Sequence, residues 1–187
     1  EKNKKELAAI QIFYSKGKVE IDQKETITMD ATDQITKETK KVTINPMKVG
    51  GKSLPFDYGI VDEIKSTTGV ETATLFQVIP EGIIRISTNV MKLDGTRAVS
   101  TYIPKSSPVY QTVMQKKTYF GSAFVVNAWY KTAYEPILDD SGNVIGVLYV
   151  GAKESKHILN LNYELVDHIN SLSGSKSTLF QLKKFEG

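Results

Sequence analysis

The sequence contains no cysteine, only two histidines and a single tryptophan in 187 residues. Without cysteine there is no thiol nucleophile, no disulfide and no thiolate metal site. The compartment stays open, because extracytoplasmic domains often lack cysteine as well. Long apolar runs are also missing: the longest, around Val144 to Ala152, falls far short of the roughly 18 residues that a membrane-crossing helix requires. Lysine and arginine number 24 against 21 acids, a net charge of +3. This small excess is scattered along the chain, so no nucleic-acid surface is expected. Neither a glycine-rich phosphate loop nor a nucleophile elbow occurs. The acidic pair Asp139-Asp140 stands beside glycine, where turn chemistry accounts for both residues. No catalytic residue, cofactor or metal is therefore expected.

The stretch from Tyr119 to Ala152 carries the clearest pattern. Tyr119 to Val126 and Ala128 to Leu138 are rich in aromatic and β-branched residues, and Asp139 to Asn143 form a polar turn before Val144 to Val150. The pattern predicts an antiparallel meander of three strands. Its last strand is nearly all apolar, as suits the centre of a sheet. Side chains alternate along a strand, so Tyr130, Thr132 and Tyr134 share one face of the middle strand. A face with two tyrosines and a threonine suits the wall of a small-molecule pocket. It also suits ordinary sheet packing with hydroxyls reaching water.

Upstream, the spacing predicts a short helix through Leu7, Ile10 and Phe13 that ends near Gly17. An exposed hairpin is expected between Val19 and Ile44, with Ile27 and Met29 facing Val42 and Ile44. "NPMKVGGKSLP" reads as a linker by its glycines and prolines. A helix is expected over Phe56 to Thr68, closed by Gly69, and then strands over Thr72 to Ile79 and Ile83 to Val90. In the second of these, "IIRISTNV", alternation lines up Arg85, Ser87 and Asn89 on one face. A guanidinium fork matches a carboxylate, and the hydroxyl and amide beside it suit the remaining lone pairs. A solvated outer face with an ordinary arginine gives the same pattern. A segment with an Asp94-Gly95 turn follows, then a helix with Ser107 as N-cap and Pro108 at its first position. It crosses the sheet as a lid.

Taken together, "ATLFQV", "RISTNVMKLDGTRAVSTYIP", "SPVYQTVM" and "TYFGSAFVVNAWYKTAYEPILDDSGNVIGVLYVGA", in this order, resemble the Cache branch of PAS-like extracytoplasmic sensor domains, most closely the fused Cache type. The resemblance covers about Phe56 to Ala152. It implies an α+β fold with a PAS-like central antiparallel sheet flanked by helices, an N-terminal helix and hairpin, and a C-terminal helix. It also implies the ligand-sensing part of a membrane-bound chemotaxis receptor or sensor kinase, on the outer side of the membrane, with transmembrane and cytoplasmic signalling parts outside this chain. The expected organisation is an N-terminal helix, hairpin and linker in residues 1–55, the sensor in 56–152, and a connecting helix with the start of a second repeat in 153–187. Carried over by position, the pocket draws on Arg85, Ser87 and Asn89, on Arg97 and Tyr102 of the lid, and on Tyr119, Tyr130 and Tyr134. The aspartate that ends the amino-acid-binding motif of double Cache domains has no counterpart here, so a simple carboxylate is the ligand implied. The competing reading is a PAS-like dimerisation or protein-interaction module without a small-molecule ligand.

The opening "EKNKKELAAI" is already helical in composition, so the chain is expected to be a piece of a longer protein. "VDEIKSTTGVETATLFQ" from Val61 to Gln77 recurs as "VDHINSLSGSKSTLFQ" from Val166 to Gln181. This points to tandem modules. Between them, Ile158, Leu161, Leu165, Ile169 and Leu172 form a helical seam suited to packing on its own sheet or to a homodimer. His157 and His168 are three helical turns apart on it, too far for one metal ion.

Overall fold

The hydrophobic alternation of the sequence is realised as sheet almost wherever it persists. The computed structural model describes residues 4–125 and 128–153. Within them the order is α1 (Lys4–Tyr14), β1 (Val19–Ile21), β2 (Ile27–Asp33), β3 (Thr39–Ile44), β4 (Met47–Val49), β5 (Lys52–Ser53), α2 (Gly59–Thr68), β6 (Thr72–Ile79), β7 (Gly82–Thr88), β8 (Thr101–Pro104), α3 (Pro108–Met114), β9 (Tyr119–Val125), β10 (Ala128–Leu138) and β11 (Val144–Lys153). Eight strands form one sheet in the order β3-β2-β8-β7-β6-β11-β10-β9, and β1, β4 and β5 form a smaller one. The fold class is α+β, as expected. Hairpin β6–β7, a crossover with a helix, and a meander whose last strand returns beside β6 give the PAS-like core.

Two layers cover the large sheet. On one face α1 and α2 bring Phe13, Val61 and Ile64 onto Leu75, Ile84, Ile86, Leu148 and Val150. On the other face the crossover lays Val90, Ala98 and Val113 over Phe76, Ile83, Tyr134, Val147 and Tyr149. Apolar burial at roughly 25 cal/mol per Å2 is what holds both layers down.

Local signals act as the sequence suggests. Ser107 caps α3, its Oγ accepting the Val109 N–H at 3.2 Å. Gly69 closes α2 at φ 68, and its N–H bonds to the Lys65 carbonyl. Asp139 accepts the N–H groups of Ser141 and Asn143 across the β10–β11 turn. The hairpin pairs Ile27 with Ile44 and Met29 with Val42.

Other details differ. The expected linker at 45–55 contains the β4–β5 hairpin: Gly50 and Gly51, at φ 55 and 81, make its turn, and Met47, Val49 and Leu54 are buried. Helix α2 starts at Gly59 rather than Phe56, and Phe56 itself sits at φ 63. Strand β2 joins the main sheet by a parallel pairing with β8, the one parallel pair among those described, so the sheet is mixed rather than wholly antiparallel. The connecting helix, His157, His168 and the second copy of the repeat lie outside the described residues.

Candidate functional site

The lid-facing side of the sheet is organised in rows. Cross-strand register sets Thr88 beside Thr74, Thr74 beside Tyr149, Tyr149 beside Tyr134, and Tyr134 beside Tyr119, so one line of hydroxylated residues crosses five strands. The Thr74 and Thr88 hydroxyls meet at 2.6 Å. Ring centroids are 4.8 Å apart for Tyr134 and Tyr149 and 5.9 Å for Tyr119 and Tyr134, in tilted and edge-on geometries that aromatic quadrupoles favour. The adjacent row runs Arg85, Phe76, Val147, Pro136.

The other flanking row is Thr72, Gly151, Thr132, Gly121, and its glycines make room for the rings. A Cβ at Gly151 would run into the Tyr149 hydroxyl, and one at Gly121 would lie 2.9 Å from the Tyr119 ring. The Tyr149 hydroxyl rests 3.2 Å from Thr72 Oγ1. Burial pushes the Tyr149 phenol up to about 12 and raises that of Tyr134 as well. Both therefore stay protonated donors throughout the ordinary pH range.

Arg85 is 8% exposed, and no carboxylate of the described residues is paired with it. Nη1 donates to the Ala98 carbonyl at 3.0 Å and to Thr101 Oγ1 at 2.9 Å, while Nε is buried without a partner. The guanidinium lies 5.3 Å from the centre of the Phe76 ring. Burial pulls its pKa down from the usual value, against which the fields of Tyr134 and Tyr149 act. A buried, charged fork with an open edge beside a tyrosine box is equipped to receive an anion. In this structure the box is closed, with Tyr134 and Tyr149 almost wholly buried beneath the lid.

The eight residues singled out in the sequence divide into two groups. Arg85, Tyr119, Tyr130 and Tyr134 share the lid face, and of the three tyrosines Tyr134 is the one beside Arg85. Ser87 and Asn89 do not join them, because the β6–β7 register slips between Leu75 and Phe76. Ile86 is the extra residue of that bulge, and it turns everything after it over. Ser87 Oγ donates to the Asp57 carbonyl at 2.5 Å, and Asn89 joins the Val61 carbonyl to the Ala73 N–H, both on the α2 side. Tyr102 packs on that same side with Ile84 opposite it, hydrogen-bonded to Asp33. Arg97 is held by Asp62 through two 2.8 Å bonds, donates to the Thr88 carbonyl and stacks 4.3 Å from Tyr58. Sequence reasoning missed Phe76, Tyr149, Thr74 and Thr88. The available signal for the tyrosine box was the Tyr-x-Gly spacing at Tyr119 and again at Tyr149.

A PAS-like sheet with a crossover lid above a polar-aromatic box defines a sensor domain. The chain belongs to the Cache 3/Cache 2 fusion domain family, whose family model matches residues 5–164. That family is one of extracellular ligand-sensing modules of receptors, not of catalysts. A search of curated proteins finds no match. Among the described residues, no helix is long and apolar enough to cross a membrane.

Proposed function

We propose that the chain is the extracytoplasmic ligand-sensing part of a membrane-bound chemotaxis receptor or histidine kinase, and that its ligand is a small carboxylate held between sheet and lid. The observation that carries this reading is Arg85: a guanidinium buried on the lid face, without a carboxylate partner among the described residues and with Nε unbonded. A carboxylate laid along that free edge supplies the missing charge, and the hydroxyls of Tyr134 and Tyr149, the two tyrosines whose fields reach Arg85, are candidate further donors. Entry requires the lid to lift, and closure over the ligand is then a population shift between open and closed states.

The closed, aromatic-filled box favours a second reading, in which the fold serves as a dimerisation or protein-interaction module. A thermal-shift titration with acetate, succinate and related short carboxylates separates the two. Binding to the native state raises the midpoint with the logarithm of ligand concentration. A flat response across the panel, with a midpoint that instead climbs with protein concentration, would establish the second reading.

A further inference from the structure

Arg85 also holds the chain on the side away from its open edge. Nη1 carries two hydrogens, and both go to one segment, to the Ala98 carbonyl and to Thr101 Oγ1. The main chain of that segment is gripped from two directions at Ser100. Its N–H donates to the Arg85 carbonyl at 2.9 Å, and its own carbonyl accepts the Thr32 N–H at 2.9 Å. Ser100 sits at φ 67, a left-handed conformation uncommon for a residue with a side chain, so these bonds rather than local preference maintain it. Immediately beyond, β8 lies parallel to β2, with Thr32 opposite Thr101 and Asp33 opposite Tyr102. Gln34 N–H donates to the Tyr102 carbonyl at 3.0 Å, and the Tyr102 hydroxyl is hydrogen-bonded to the Asp33 carboxylate.

We propose that residues 98–102 form a strap that relays the state of Arg85 to the β2–β3 hairpin. The proposal rests on the reading of Arg85 as the ligand arginine only for its trigger. Nε lies on a different edge of the planar guanidinium from the Nη1 hydrogens, so an anion and the strap can be held together. An anion there fixes the side chain in the conformation that grips the strap. The hairpin is then docked firmly in the occupied state and loosely in the empty one. Linkage makes the coupling reciprocal: whatever detaches the hairpin weakens the anion site by the same factor.

The strap is testable without any ligand, by amide hydrogen exchange on the intact chain carrying Thr101→Val, which removes one acceptor at nearly constant volume, and separately Arg85→Met. Thr32 and Gln34 report docking, since their N–H groups bond to the strap, whereas the Asp33 N–H bonds within the hairpin to Glu38. In both variants exchange at Thr32 and Gln34 is expected to accelerate by roughly tenfold, with Asp33 and the β11 amide of Tyr149 unchanged. Unchanged exchange at Thr32 and Gln34, or an acceleration in Thr101→Val shared equally by Tyr149, overturns the proposal. Because no ligand enters the measurement, the strap can fail while carboxylates still stabilise the domain, and the ligand reading can fail while the strap holds.

Discussion

Arg85 and Arg97 lie twelve positions apart in sequence and share one residue type, yet their surroundings are opposite. Arg97 is half-exposed and complete: Asp62 fills its fork, Tyr58 takes its face, and the Thr88 carbonyl takes a further hydrogen. Its pKa is raised, first by the Asp62 hydrogen bond. Arg85 is buried and incomplete, and burial drives its pKa the other way. The difference teaches that an arginine in such a domain is read by what it lacks. A satisfied guanidinium is architecture, whereas one buried without a counter-charge among the described residues is what the proposed anion site rests on.

The sharpest way to break the contrast is to exchange each arginine for methionine, which keeps the stem and removes the charge. Arg85→Met is expected to lower carboxylate affinity at least about a hundredfold, roughly 3 kcal/mol. Its ligand-free stability should stay within about 1 kcal/mol of wild type, because a poorly compensated buried charge is removed along with its hydrogen bonds. Isothermal titration and chemical denaturation measure the two quantities. Unchanged affinity would make Arg85 the architectural residue.

Gly151→Ala tests the box beside Arg85. Displacing the Tyr149 and Thr72 hydroxyls should cost about 1–3 kcal/mol and disturb ligand binding, both visible in thermal melts with and without carboxylate. Tyr149→Phe is milder, about 1 kcal/mol for the bond to Thr72. Since the phenol stays protonated to about pH 12, the contribution of its hydroxyl to binding should be flat between pH 6 and about 9. Arg97→Met should cost about 1 kcal/mol or less, an exposed pair being screened, and leave carboxylate affinity alone.

The smallest expected effect concerns pH. Burial opposes the charge on Asp33, but the N–H groups of Ile35 and Thr36 and the Tyr102 hydroxyl together hold its pKa below the usual 3.8. The charged form is therefore favoured by folding, and its stabilisation is complete above that value. It fades as pH falls from about 4 through the lower folded value, so hairpin amides should exchange faster there, relative to β11, once intrinsic pH dependence is removed.

Much of the fold was legible because its signals are local. Ser107-Pro108 announces α3, Gly69 ends α2, and the aromatic runs with the Asp139 turn give the meander. Two features were hidden by that same grammar. Gly50-Gly51 looks like a linker and is a hairpin turn whose flanks are buried. Ile83 to Val90 alternates without a flaw, so nothing in it betrays the bulge at Ile86 that separates Arg85 from Ser87 and Asn89. The candidate site was half legible: the sequence pointed to Arg85 and three of the tyrosines that share the lid face, whereas Tyr149 was concealed in an apolar strand. The Arg97–Asp62 pair joins residues 35 positions apart and exists only once the chain has folded.

The parallel pairing of β2 with β8 bears on how the molecule is made. Thr32 must wait for Thr101, about 70 residues later, so the loop it closes is among the costliest in the domain to form early. During synthesis the hairpin emerges before β8 and finds this neighbour late, with one edge of β2 bare in the meantime. Its outer strand carries Lys40 and Lys41, charges that discourage edge-to-edge association between nascent chains. The hairpin is thus expected to be formed well before it takes its place in the sheet.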